Sequence, residues 1–187
     1  MINPSKSRIQ ILQLIFVVLT AIIIPVGLTY FNYQFSVQNP GGNDFLARWN
    51  GAHEWLVNGN NPYTDEVSLV AQKYIYGRAA DPKAGEDIAH FVYPLYSMIF
   101  FAPFGLMDYT FARALFMTVL EICLVLIALV SFKITGWKVK KLGLVGVLLF
   151  SVFWYCAVRG VILGQYAVIN ALLMLLGIWA VKEKQDI

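Results

Sequence analysis

Groups able to do acid–base or anion-binding chemistry are sparse in this sequence. The densest set lies in GGNDFLARWNGAHEWLVNGNNPY, residues 41–63, where Asp44 stands behind two glycines and is followed by Arg48 and His53. A carboxylate at that point has two uses. It can accept a hydrogen bond from the first turn of a following helix, as an N-cap, or it can take a proton as a general base. The other candidates are His90 and Tyr93 in the run HFVYP, Arg113 in ARAL, Glu121 in MTVLEICLVL, and Arg159, Gln165 and Asn170 around RGVILGQ. A guanidinium fork suits phosphate oxygens, whereas an arginine at the end of an apolar run also reaches lipid headgroups. His90 reads as an ordinary loop residue. The chain has no DxD pair, and its two cysteines, Cys123 and Cys156, fall in apolar runs without metal-ligand spacing, so no metal and no cofactor is expected.

The elements that must position these groups are largely apolar. Hydrophobic residues make up 59% of the chain and charged ones 13%, and whole segments carry no charge. This is the composition of an all-α integral membrane protein and not of a soluble core. The net charge of +3 comes from short basic clusters beside apolar runs, which argues against nucleic acid as a partner. A hydrocarbon core needs ~20 apolar helical residues. About four spans are expected on that measure, at residues 9–31, 112–132, 142–158 and 165–181. The first run is too long for the apolar core of a cleaved leader. The run FVYPLYSMIFFAPFGLM, residues 91–107, holds Pro94, Pro103 and Gly105 and is read as interfacial. With it outside the bilayer, the basic clusters Lys6/Arg8, Lys133/Lys138/Lys140/Lys141 and Lys182/Lys184 all fall on the cytoplasmic side. The expected topology is therefore a multi-pass cell-membrane protein with both termini cytoplasmic. Residues 32–110 then form one large outer loop.

Two interfacial helices are expected in that loop, at residues 44–58 and 94–106. In the first, Phe45, Leu46, Trp49, Ala52, Trp55 and Leu56 recur at helical spacing, Asn43 or Asp44 begins it, and Gly59 stops it. Its tryptophans are expected at the headgroup level. Glu121 is different: it falls near mid-span, where an ionised acid costs ~2.5–3.5 kcal/mol on insertion scales, so a packing or partner-subunit role is expected.

The order of NDF, the NG and NPY that follow it, FVYP before an apolar stretch with Pro103, ARAL opening a span, and LGQ with Asn170 beyond it resembles glycosyltransferase family 87. That family belongs to the GT-C superfamily of multispanning transferases. The resemblance implies a GT-C-like N-terminal module whose outer loop carries an essential acid, matched here by Asp44 as catalytic base. It implies a polyprenyl-phosphate sugar as donor, mannose-like, and transfer with inversion at the outer face. Donors for the leaving phosphate would come from Arg48, His53, Tyr93, Arg113, Arg159 and Gln165. Leu95 replaces the second proline of the family's YPP-like element. Family members are generally longer, so the resemblance is to an N-terminal half, which is either truncated and inactive alone or completed by a partner subunit or homo-oligomer. The alternative is a noncatalytic scaffold or partner subunit derived from such an enzyme.

Overall fold

The computed structural model describes residues 4–41 and 44–183, with side chains from residue 10 onward. The side chains of Lys6 and Arg8, and all of Asn43 and Lys184, lie outside the described residues. Helix predominates among the described residues, and there are no strands among them.

The chain opens with α1 (Pro4–Gln38), 35 residues long, with Pro25 inside it. The central helix is α5 (Tyr109–Thr135), and the local sequence dictates both its ends. At its start Asp108 Oδ1 accepts the Thr110 and Phe111 amides at 2.9 and 3.3 Å, and at its end Gly136 takes the left-handed conformation at φ 67°. Both α1 and α8 (Ala167–Lys182) pack along it. Among the described residues, two helical stretches suffice by length and apolarity to cross a membrane, Gln10–Gln38 and Tyr109–Thr135.

The run expected as a single span over 142–158 is split. It forms α6 (Lys141–Phe153) and α7 (Tyr155–Leu163), bent by 47° at Trp154, which adopts ψ 153°. No glycine or proline marks the bend; it turns Ala157 and Val161 of α7 inward, where both are buried. Counted as one broken span, the pair makes a third crossing, while α8, with 16 residues, is shorter than ~20.

Between α1 and α5 a polar ladder replaces apolar packing. Asn32 Nδ2 donates to Thr118 Oγ1 and to Glu121 Oε2, both at 3.1 Å, and Thr29 Oγ1 donates to Thr118 at 3.0 Å. Glu121 thus joins two helices of the same chain.

The segment between α1 and α5 carries α2 (Phe45–Val57), α3 (Asp65–Tyr76), two 3-10 turns (Pro82–Ala84 and Leu95–Ser97) and the short α4 (Met98–Gly105). The apolar stripe of α2 was expected on lipid headgroups; most of it is instead protein core. Phe45, Leu46, Trp49 and Ala52 are buried with Phe91, Phe101, Tyr109 and Phe116. Trp49 donates from Nε1 to the Met107 carbonyl at 3.1 Å, whereas Trp55, Leu56 and Val57 stay exposed. Each large side chain buried this way contributes ~1.5–3 kcal/mol. A close approach of α4 makes the burial possible: a Cβ on Gly105 would lie 2.9 Å from the Ala52 backbone. At its other end α2 is locked by Glu54, whose Oε2 accepts Asn58 and Asn60 side-chain amides at 3.0 and 2.8 Å.

Candidate functional site

Asp44 occupies the position before α2, yet its side chain makes no capping hydrogen bond, and its backbone is already helical at φ −71° and ψ −19°. The carboxylate goes elsewhere. Oδ2 accepts a hydrogen bond from Gln165 Nε2 and lies 4.0 Å from Arg48 Nη2. The Asp44 side chain is 44% exposed and the Arg48 side chain 7%. The acid therefore opens to solvent from a base that is held.

Arg48 follows one turn later on the same face and is almost wholly occupied by protein. Nη1 donates to the Gly164 carbonyl at 2.5 Å, Nη2 donates to the Tyr93 hydroxyl at 2.7 Å, and Cζ lies 4.9 Å from the Tyr93 ring centre. Its Nε is buried without a partner among the described residues. Tyr93 is fixed in turn by its carbonyl, which accepts the Tyr63 hydroxyl at 2.7 Å. One arginine thus connects α2, the FVYP segment and the end of α7.

Gly164 explains the LGQ sequence. It ends α7 at φ 67°, a conformation that favours glycine, and a Cβ there would lie 2.6 Å from Phe45 Cβ. With hydrogen in that place, the turn seats directly on the first residue of α2. The Gly164 carbonyl then meets Arg48, and the next side chain, Gln165, meets Asp44.

These residues border a cleft of ≈ 320 Å³ lined by two elements, α2 (Asp44, Ala47, Arg48) and the extended segment 87–93. The extended wall is pinned from behind. The Ser68 hydroxyl and Gln72 Nε2 both donate to the Ile88 carbonyl, the latter at 3.0 Å. Farther out, Arg78 holds Glu86 through two bonds of 2.7 Å, and with the Asp81 amide this lowers the Glu86 carboxyl to about 2.

A model of glycosyltransferase family 87 matches residues 91–187. The chain belongs to glycosyltransferase family 87. No curated protein and no solved structure gives a match. In this family 87 chain the match takes in Tyr93, Arg113, Arg159 and Gln165, while Asp44, Arg48 and His53 precede it. The structure nonetheless brings Asp44 and Arg48 from the unmatched part onto Tyr93 and Gln165 of the matched part.

Three of the expected residues lie away from the cleft. His53 is about two and a half turns beyond Asp44 at 3.6 residues per turn, so it faces the other way. Its ring stacks on Trp49, and Nδ1 lies 2.8 Å from the Gly105 carbonyl. Arg113 is 2% exposed and bonds the Asn39 and Ile162 carbonyls, tying the end of α1 to α7. Arg159 is exposed on α7. Two residues that sequence reasoning did not place in the site are His90, set aside as a loop residue, and Asp87, which drew no attention. Their nearness in sequence to FVYP is the signal that could have found them.

Proposed function

We propose that this chain carries the acid–base site of a membrane glycosyltransferase that moves a sugar from a polyprenyl-phosphate donor to an acceptor hydroxyl at the extracytoplasmic face, with inversion. The acceptor oxygen attacks the anomeric carbon, its proton passes to Asp44, and the carbon–oxygen bond to phosphate breaks with its electron pair leaving on polyprenyl phosphate. Gln165 and Arg48 both engage Oδ2 of Asp44, which leaves Oδ1 for the incoming hydroxyl. The lipid bilayer holds the donor's tail, so the sugar meets the protein at the headgroup level. A mannose-like sugar is the donor this reading favours.

The observation that carries the proposal is the Asp44 carboxylate, free of the capping role its position invites and held at the mouth of a cleft by a glutamine 121 residues away. Membership of a glycosyltransferase family supports the same reaction class. The test is sugar transfer in membranes with labelled polyprenyl-phosphate mannose. Asp44→Asn removes the base while keeping size and is expected to lower transfer by about 10²-fold or more, the scale of general-base catalysis. Undiminished transfer by that variant would sink the proposal. The face is tested by Ala84→Cys with Cys156→Ser: labelling by an impermeant maleimide from the cytoplasmic side alone would contradict the topology.

A further inference from the structure

In an inverting displacement the base and the leaving group lie on opposite faces of the sugar ring. This requirement sorts the charged residues of the cleft, which among the described residues are Asp44, Arg48, Asp87 and His90. If Asp44 takes the acceptor's proton, the phosphate departs toward the wall across from α2. Arg48 is on Asp44's own helix and beside it, is 6% exposed, and has both terminal nitrogens committed to Gly164 and Tyr93. It holds the base; it does not meet the phosphate. The facing wall is segment 87–93, and the side chain there that can carry positive charge is His90.

We propose that His90 contacts the leaving phosphate of the donor, an inference that rests on the reaction given above. Its Nε2 lies 3.8 Å from Oδ1 of the exposed Asp65, too far for a hydrogen bond, and neither ring nitrogen is hydrogen-bonded among the described residues. Its ring is thus open to donate a hydrogen bond to a phosphate oxygen. As the bond from the anomeric carbon breaks, the negative charge gained by the phosphate falls beside that donor.

The backbone that presents His90 is unusual. Ala89, buried, adopts φ 51°, a left-handed conformation that an alanine rarely takes. The peptide that leads into it is held at both its groups, the Ala89 amide by Asp87 Oδ1 at 2.9 Å and the Ile88 carbonyl by two donors. Such conformations persist where the surroundings over-determine them, and they gather at ligand-contacting segments. The same bond turns the Asp87 carboxylate into its own loop, which moderates its repulsion of a phosphate.

The test is binding and transfer by the full chain in nanodiscs, with undecaprenyl phosphate as the binding probe. His90→Gln is expected to weaken binding about tenfold and to raise the donor KM while leaving the acceptor KM unchanged. His90→Arg, which keeps an N–H donor suited to phosphate, should bind within about threefold of wild type. Binding by His90→Gln equal to wild type overturns the proposal, as does a loss in His90→Arg equal to that in His90→Gln. Asp44→Asn separates this proposal from the reaction it rests on, since it removes the base but keeps His90 and should bind undecaprenyl phosphate at least as tightly as wild type. A wild-type chain that binds undecaprenyl phosphate through His90 but transfers no sugar refutes the transferase and supports the phosphate contact. Transfer that depends on Asp44 with binding indifferent to His90 does the reverse.

Discussion

Gly164→Ala is the substitution on which the described site depends most directly. Two separate penalties can be read from the geometry. At φ 67° an alanine suffers the left-handed backbone cost of ~1–2 kcal/mol. Its Cβ would also lie 2.6 Å from Phe45 Cβ, and neither atom is the flexible end of a side chain, so α7 and α2 must separate at an overpacking cost of ~1–3 kcal/mol. The sum is ~2–5 kcal/mol. Gly59→Ala supplies the control, because Gly59 has φ 70° with nothing within 4 Å of the place its Cβ would take and should carry the backbone cost alone. Thermal unfolding of the full chain in nanodiscs measures both. At ~2–4 °C per kcal/mol for a chain of this size, Gly59→Ala should lower the midpoint by about 2–8 °C and Gly164→Ala by several degrees more. Transfer should fall more than stability predicts in Gly164→Ala alone, since moving α7 displaces both the Arg48 acceptor and Gln165. If the two variants melt alike and both transfer normally, the seating of α7 on α2 is refuted.

Arg113→Leu removes the bonds to the Asn39 and Ile162 carbonyls and should destabilise the chain by ~1.5–3 kcal/mol without changing the donor KM of the folded fraction, measured by melting and by transfer kinetics. A selective rise in donor KM would show that Arg113 serves the substrate instead. The Glu86 carboxyl, lowered from its ordinary 4.5 to about 2 in the folded loop, favours the closed loop fully above pH 4.5. That contribution declines as pH falls below 4.5 and is gone once pH has passed below about 2. Hydrogen exchange of residues 78–90, corrected for intrinsic rates, should therefore stay slow at pH 5 and rise toward pH 2, and Arg78→Gln should show the fast behaviour already at pH 5.

Legibility divided along the lines of local and distant causes. The helix over Phe45–Val57, the cap at Asp108 and the left-handed glycines follow from neighbouring residues, and so they could be read in order along the chain. What α2 packs against could not. Its stripe has the same period whether it meets lipid or protein, and the aromatic side chains that cover it come from Phe91, α4 and α5, beyond the polar stretch. The bend at Trp154 likewise has no local marker. Within the site, Asp44 was visible as a residue of two uses, and the geometry that separates them, an unused cap and a bond to Gln165, spans most of the chain. His53 was misplaced although its spacing of nine residues from Asp44, about two and a half turns, already sets it on the opposite side of the helix.

The Arg48–Gly164 contact has a consequence for biogenesis. Its partners are 116 residues apart, and the aromatic cluster beneath them closes only with Tyr166. While α6 is still being made, the segment carrying Asp44 is already complete, with Phe45 and Tyr93 lacking their later neighbours. Until Gly164 and Tyr166 have been made, that segment is a half-built surface. Completion of the site is thus a late event in synthesis, set by the turn that ends α7.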